Sequence, residues 1–419
     1  MSEKRKDAKG RILYNGETQD SEGRYRFRYQ DAAGKRKTVY SWRLNETDPQ
    51  PKGKRTCEAL RTLEKQISRD LDNGINSQSA SKITVNQAFE NAMNTNQKKR
   101  PGTRTLQRGI YENHIRGQLG SLPLIKISRD MMKDFYLRLY TEENLAPGTI
   151  MTVYIVLNPL FEEQVKNGNL RVNNSSLALS DVKKLVDWET APRHALTAKE
   201  QEAFVSFYST TPAYSKWVPL LDVLLGTGMR IGEALSLTWN DIDWESNFIS
   251  VNHTLSSARI DGKKTFYISV PKTAAGNRKI PMLGKVRAAL MSEYEQQEVN
   301  GGCTFELDGY KGFVFFNRKG QKIYDPSTVN HAINQITESY NKAETETADK
   351  ENRAPLLLPH LSPHILRHSF ASRAVESNAI PPKHLQTMLG HPSIQVTMDI
   401  YAKISDEALQ NSMSAFDEI

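Results

Sequence analysis

A multidomain fold is predicted. A small antiparallel β-sheet with one helix leads into an all-α domain, then into a mixed α+β, mainly helical domain. Three observations predict it. Residues 24–29, R-Y-R-F-R-Y, alternate strictly between basic and aromatic side chains, the period of a strand. Residues 83–175 carry repeated helix-start and helix-stop signals with short polar turns between them. Two stretches, 74–82 and 176–194, are small and polar or shift in composition, and read as linkers. They divide the 419 residues into 1–75, 83–180 and 192–419, in keeping with roughly 100–200 residues per domain.

In the first part, Tyr25, Phe27 and Tyr29 fall on one strand face and Arg24, Arg26 and Arg28 on the other. Tyr14 with Asn15-Gly16 predicts an earlier strand and turn. A-A-G-K-R-K around Gly34 predicts the next turn, and T-V-Y-S-W the next strand. Residues 56–73 predict an amphipathic helix that starts at Thr56 and stops at Gly74. Residues 1–75 hold 18 Lys and Arg against 12 Asp and Glu, so +6 of the net charge of +8 lies here. A basic head suggests an acidic partner, most often nucleic acid, although a charged face chosen for solubility fits equally well. The three-arginine face suits DNA phosphates or the major groove; it also suits an exposed sheet guarded against edge pairing.

The second part predicts about four or five helices. One begins at Thr84, one at Ser128 with Asp130 in its first turn, and one runs from A-P-G-T to a stop at Gly168. A basic turn holds Lys98, Lys99, Arg100 and Arg104, which reads either as a phosphate contact or as a solvated loop. No apolar run reaches the length of a membrane span, and the first residues have no secretory h-region. Cys57 and Cys303 are the only cysteines and form neither a metal-type spacing nor a disulfide framework. A cytoplasmic protein is expected.

The third part opens with a capping box, Thr197 three residues before Glu200. In V-P-L-L-D-V-L-L-G-T-G-M-R-I-G-E, an apolar helix breaks at Gly226–Gly228, and Arg230 starts the next helix. Free backbone N–H groups there favour an anion, and a guanidinium adds a bidentate fork; pairing with Glu233 is the plainer alternative. The segments F-I-S-V-N-H-T, T-F-Y-I-S-V-P-K-T and R-K-I-P-M predict a strand meander with Lys272 at a turn. F-V-F-F-N-R-K-G-Q-K-I adds an extended piece, and residues 341–355 read as a polar loop. Ser362 and Pro363 then predict a helix start. His364 and Arg367 lie three apart on one face of that helix. Gly390 is a helix stop, His391 follows it, and Ser393 opens the segment that carries Tyr401. Singly, each has an ordinary explanation. Together, two arginines, two histidines and a lysine would stabilise a pentacoordinate phosphorane without a metal. Tyr401 would supply an oxygen nucleophile. No carboxylate cluster accompanies them that would hold Mg²⁺.

The motifs T-G-M-R-I-G-E-A-L, P-K-T, S-P-H-I-L-R-H-S-F and L-G-H-P-S-I-Q-V-T-M-D-I-Y, within residues 227–401, resemble the tyrosine recombinase (phage integrase) family. The resemblance implies a tyrosine recombinase catalytic domain in which Arg230 and Arg367 clamp the scissile phosphate. His364 positions or deprotonates the nucleophile, His391 hydrogen-bonds the phosphate, Lys272 protonates the leaving 5′ oxygen, and Tyr401 attacks. The helical middle resembles a core-binding domain. The basic head resembles the arm-binding domain of lambda-type and conjugative-transposon integrases. A site-specific recombinase is expected, working through a 3′-phosphotyrosine and a Holliday junction. Its expected partners are core-type and arm-type duplex DNA, three further copies of itself, and accessory excision and DNA-bending proteins. No cofactor is expected, and the place of action is the nucleoid. The segment after Tyr401 is apolar-periodic and acidic; docking on a neighbouring protomer and packing on its own domain are both open. A type IB topoisomerase and a catalytically silent DNA-binding regulator remain as alternatives.

Overall fold

A computed structural model describes residues 5–31, 34–72, 83–95, 99–188, 195–260, 262–271 and 274–401. Lys98, Lys272, Gly74 and the segment 402–419 lie outside the described residues. The chain divides into two units, Met1–Ala191 and Pro192–Ile419.

The first unit holds two hydrophobic cores. The smaller lies under an antiparallel sheet of β1 (Glu17–Gln19), β2 (Tyr25–Gln30) and β3 (Arg36–Ser41), in the order β1-β2-β3. Tyr25, Val39 and Leu44 pack against Leu60 and Ile67 of α1 (Leu60–Asp72). α1 starts four residues later than Thr56, because the N–H groups of Leu60 and Arg61 donate to the carbonyls of Arg43 and Leu44. The loop after β3 thus takes the place of a side-chain cap. Arg61 of α1 reaches buried Glu17 of β1 at 3.0 Å, which ties the helix to the sheet.

The larger core is all-helical, as the period predicted. α2 (Val85–Thr95) is followed by α3 (Pro101–Ile110), which runs through a π turn (Tyr111–Ile115) to Leu119. α4 (Arg129–Thr141) is capped by Ser128, and α5 (Pro147–Lys166) ends just before Gly168. The stretch expected as a second linker is instead largely a helix, α6 (Asn174–Leu185). Asn173 caps it, Ala178, Leu179 and Val182 enter the core, and Asp181 pairs with Arg129 of α4 at 2.6 Å. The apolar spacing was present, but the change in composition masked it.

The second unit is built on α8. The Thr197–Glu200 capping box opens α7 (Ala198–Thr210). α8 (Val218–Thr227) buries residues on nearly every side, the pattern of a helix inside a core rather than on its edge. It ends at Gly228, and α9 (Ile231–Ser236) begins after Arg230. The expected meander is two separate pieces. β4 (Ile242–Asp243), β5 (Phe248–Val251) and β8 (Arg278–Pro281) form one antiparallel sheet, with β5 in the centre. β6 (Thr254–Ile260) and β7 (Lys263–Ser269) form an independent hairpin. The dipeptide Asp261-Gly262 is a hairpin signal in the sequence, and β6 pairs with β7, from Thr254–Ser269 to Ile260–Lys263, rather than with β8. α10 (Gly284–Asn300) packs on α8. A short hairpin, β9 (Phe316–Asn317) and β10 (Lys322–Ile323), precedes α11.

α11 spans Pro326–Glu351, so the predicted loop at 341–355 is in its greater part helix. Tertiary contacts hold this polar half: Ala348 is buried, Asn341 bonds both the N–H and the carbonyl of Leu358, and Glu344 takes Arg353 at 2.5 Å. The chain then forms α12 (Pro363–Glu376), α13 (Pro382–Leu389) and α14 (Ile394–Tyr401), which share a small core of Phe370, Ala374, Leu385 and Leu389. Among the described residues, no helix is long and apolar enough to cross a membrane.

Candidate functional site

Four chain segments converge: the turn between α8 and α9, the start of β8, the first turns of α12, and the link from α13 to α14. Two glycines permit this. Gly228 adopts φ +62°, and a Cβ there would strike the Phe370 ring of α12. Gly390 adopts φ +64°, and a Cβ there would lie 2.9 Å from the Arg278 guanidinium. Both positions need the left-handed region and the missing side chain.

Arg230 stands at the head of α9 with its side chain 44% exposed. Glu233 accepts from its backbone N–H and from its Nη1, each at 2.9 Å. Arg367 of α12 is buried. Its Nη1 donates to the Gly228 carbonyl at 2.8 Å and its Nη2 to the Leu389 carbonyl at 2.6 Å. One guanidinium therefore ties the end of α8 to the end of α13. His391 follows Gly390, and its backbone is fixed by bonds in both directions with Gln386. Its Nδ1 lies 2.9 Å from Oγ1 of Thr397 in α14.

Sequence reasoning missed Arg278. Its side chain is 1% exposed and forks onto both oxygens of Glu233, at 3.1 and 2.8 Å. Its Nε donates to the Met388 carbonyl at 2.7 Å. A signal was present: in R-K-I-P-M, Arg278 shares the inward face with Ile280, where a lone arginine demands a partner. Burial alone would raise the Glu233 carboxyl. The Arg278 fork and charge, with the Arg230 N–H and charge, outweigh it and hold the group below the usual carboxylate range.

The electrostatics describe a cluster short of negative charge. Arg230 and Arg278 share the Glu233 carboxylate, while Arg367 is held by backbone carbonyls alone among the described residues. Burial, then repulsion from Arg230 and Arg278, pushes the Arg367 guanidinium down to about 9, with Glu233 offsetting part of the effect. Burial, then the charges of Arg367, Arg230, His368 and Arg278, pushes His391 down to about 4, so its ring is neutral near pH 7. The excess of positive over negative charge, with Arg230 half-exposed at its edge, suits a bound oxyanion.

The remaining expected residues divide. His364 sits exposed in the first turn of α12, its ring edge-on to His368 with centroids 4.8 Å apart. Tyr401 is not among the cations. Its hydroxyl donates to the Ile380 carbonyl at 3.0 Å, and burial, with no neighbouring charge acting, raises its pKa. In the first unit, the arginine face survives. Arg26 pairs across the sheet with Tyr40 and donates to Thr18 at 2.6 Å, Arg28 is exposed, and Arg24 stacks 4.4 Å from the Tyr40 ring centre although it precedes β2. Around α3, Lys99 is exposed and bonds Gln107, Arg100 is the residue before the helix, and Arg104 reaches the Met93 carbonyl.

Known proteins resemble the chain in both units. Residues 1–71 match the family described as the DNA binding domain of tn916 integrase, and residues 194–408 match the phage integrase family. The chain is 32% identical to the transposase from transposon Tn1545 of Streptococcus pneumoniae over 99% of its own length and 96% of the relative's. It is 31% identical, with the same coverage, to the transposase from transposon Tn916 of Enterococcus faecalis. Among solved structures, a Tn1549 transposon integrase fragment in complex with transposon right end DNA matches with a TM-score of 0.68 at 28% identity, covering 80% of this chain and 99% of that one. A lambda integrase dimer bound to a core site shares the fold at a TM-score of 0.52 and 15% identity.

Proposed function

Since the chain belongs to the phage integrase family and is a tyrosine recombinase, we propose a residue-by-residue assignment for its exchange of DNA strands. The protein is a site-specific DNA recombinase of a transposon. Arg230 and Arg367 hold the nonbridging oxygens of the scissile phosphate, and His391 hydrogen-bonds one of them. The Tyr401 oxygen attacks phosphorus while the bond to the 5′ oxygen breaks. The phenolic proton passes toward His364, and the 5′ oxygen takes a proton from Lys272. The product is a 3′-phosphotyrosine and a free 5′-hydroxyl. One phosphodiester replaces another, so the bond energy is kept and a 5′-hydroxyl from the partner duplex reverses the step. Two rounds make and resolve a Holliday junction, with four protomers on two duplexes. The observation that carries the assignment is the sharing of Glu233 by two arginines beside a buried third. That arrangement leaves positive charge in excess over its one carboxylate, which a phosphodiester would partly offset.

The DNA-binding parts are proposed as 1–75 for an arm-type site, 83–180 for a core-type site and 192–419 for the cleavage site. The face of Arg24, Arg26 and Arg28 serves the first, and Lys98, Lys99, Arg100 and Arg104 the second. Accessory excision and DNA-bending proteins set direction at the nucleoid.

Arg230→Lys keeps the charge and loses the fork. Cleavage of a nicked core-site duplex falls by about 10²–10³ with little change in binding, the scale of one lost transition-state donor. Parent-level cleavage removes Arg230 from the site. Deletion of residues 1–75 leaves core-site cleavage within a few-fold and abolishes mobility shift of an arm-type duplex; unchanged binding to all element-end DNA refutes a separate arm-binding part.

A further inference from the structure

Thr397 is a small buried residue in the helix that carries Tyr401, and no part of the expected chemistry uses it. Its hydroxyl lies 2.9 Å from Nδ1 of His391. Both residues are buried, so water does not compete for either partner. A hydroxyl is able to donate or to accept, and a neutral imidazole has one N–H and one bare nitrogen. Geometry between the two groups therefore leaves two arrangements. The ligand decides between them. The nonbridging oxygens of a phosphodiester carry no proton near neutral pH, so they only accept. A neutral His391 that serves such an oxygen must carry its proton on Nε2. Nδ1 must then accept, and the Thr397 hydroxyl must donate.

We propose that Thr397 is a positioning residue that fixes the Nε2–H tautomer of His391 and so makes the ring a phosphate donor. The inference rests on the assignment of His391 to the phosphate. It adds a coupling. Thr397 and Tyr401 are four residues apart on one face of α14. Seating of that helix against His391 sets the donor and the nucleophile helix together. If α14 leaves its seat, His391 loses its partner and its tautomer is no longer held.

The test uses the full-length protein with ¹⁵N-labelled histidine and a nicked core-site duplex. Thr397→Val keeps the shape and removes the hydroxyl; Thr397→Ser keeps the hydroxyl. In the parent and in Thr397→Ser, the His391 resonances report a proton on Nε2. In Thr397→Val they move toward the other tautomer or a mixture. Covalent adduct formation falls by about 10–100-fold in Thr397→Val, as for other partners that orient a functional histidine, and Thr397→Ser restores it to within about threefold. DNA affinity stays unchanged in both. A Thr397→Val protein with parental resonances and parental cleavage overturns the proposal, as does a Thr397→Ser protein as slow as Thr397→Val. A separate His391→Ala variant distinguishes the underlying assignment: parental cleavage there removes His391 from the phosphate, whatever the tautomer proves to be.

Discussion

Tyr401→Phe binds core-site DNA with parental affinity and leaves no detectable covalent adduct on a nicked suicide duplex. The two halves of this result have separate causes. The ring packs beside Phe370, Leu385 and Leu389, and phenylalanine preserves that volume. Only the hydrogen bond to the Ile380 carbonyl is lost, a cost of about 0.5–1.5 kcal/mol. The fold and the cation cluster therefore persist. On the proposed assignment chemistry does not, because the attacking oxygen would be gone; losses of a nucleophile run on the order of a millionfold in rate. Denaturing gel electrophoresis of trapped DNA reads the outcome. Adduct at the parental level would show that another residue attacks.

Arg278→Met lowers the stability of the catalytic unit by about 3–5 kcal/mol, the usual cost of removing one partner of a buried ion pair. The argument is geometric. Glu233 is buried beneath Arg278 and Arg230, and among the described residues only Arg278 meets it in an enclosed fork. Methionine fills much of the space but leaves the carboxylate without that partner. It also orphans the Met388 carbonyl, which anchors the end of α13. Urea unfolding followed in the catalytic-unit transition measures the loss, and a change below about 1 kcal/mol would sink the keystone role. The pH dependence carries a sign. Glu233 is held below its ordinary value in the folded chain, so its contribution is present above the unfolded carboxylate pKa and is lost as pH falls through the folded one. Parent stability declines on acidification over that range, and the Arg278→Met protein declines less. Cleavage falls as well, since Arg230 and the His391 turn both lean on the same fork.

Local signals account for what was legible in the sequence. Ser362-Pro363, Gly228 and Gly390 announce helix ends through their own backbone chemistry, and Arg230, Arg367 and His391 sit at those ends. The alternation in β2 and the capping box of α7 are local in the same sense. What failed depended on distant partners. The polar half of α11 is helical because Ala348, Asn341 and Glu344 meet residues beyond its end; propensity over a short window does not see them. β5 pairs with β8 rather than with β6, which only the intervening hairpin explains. The alternation in R-K-I-P-M marks Arg278 as inward-facing, but nothing near it in sequence reveals Glu233 as its partner. The position of Tyr401 was legible as a residue but not as a placement: its hydroxyl is bonded to Ile380, apart from the cations.

The long sequence separations inside the arginine cluster bear on how the protein is made. Arg367 reaches a carbonyl 139 residues upstream, and Arg278 a carbonyl 110 residues downstream. Chains emerge from the ribosome N-terminal end first, and domains fold as they appear. The sheet of the first unit and its helical core lie wholly upstream of these contacts. A growing chain therefore completes both cores of its first unit before Arg278 and Arg367 meet their partners. The contacts that join α8, β8, α12 and α13 form only once the last of these helices has been released.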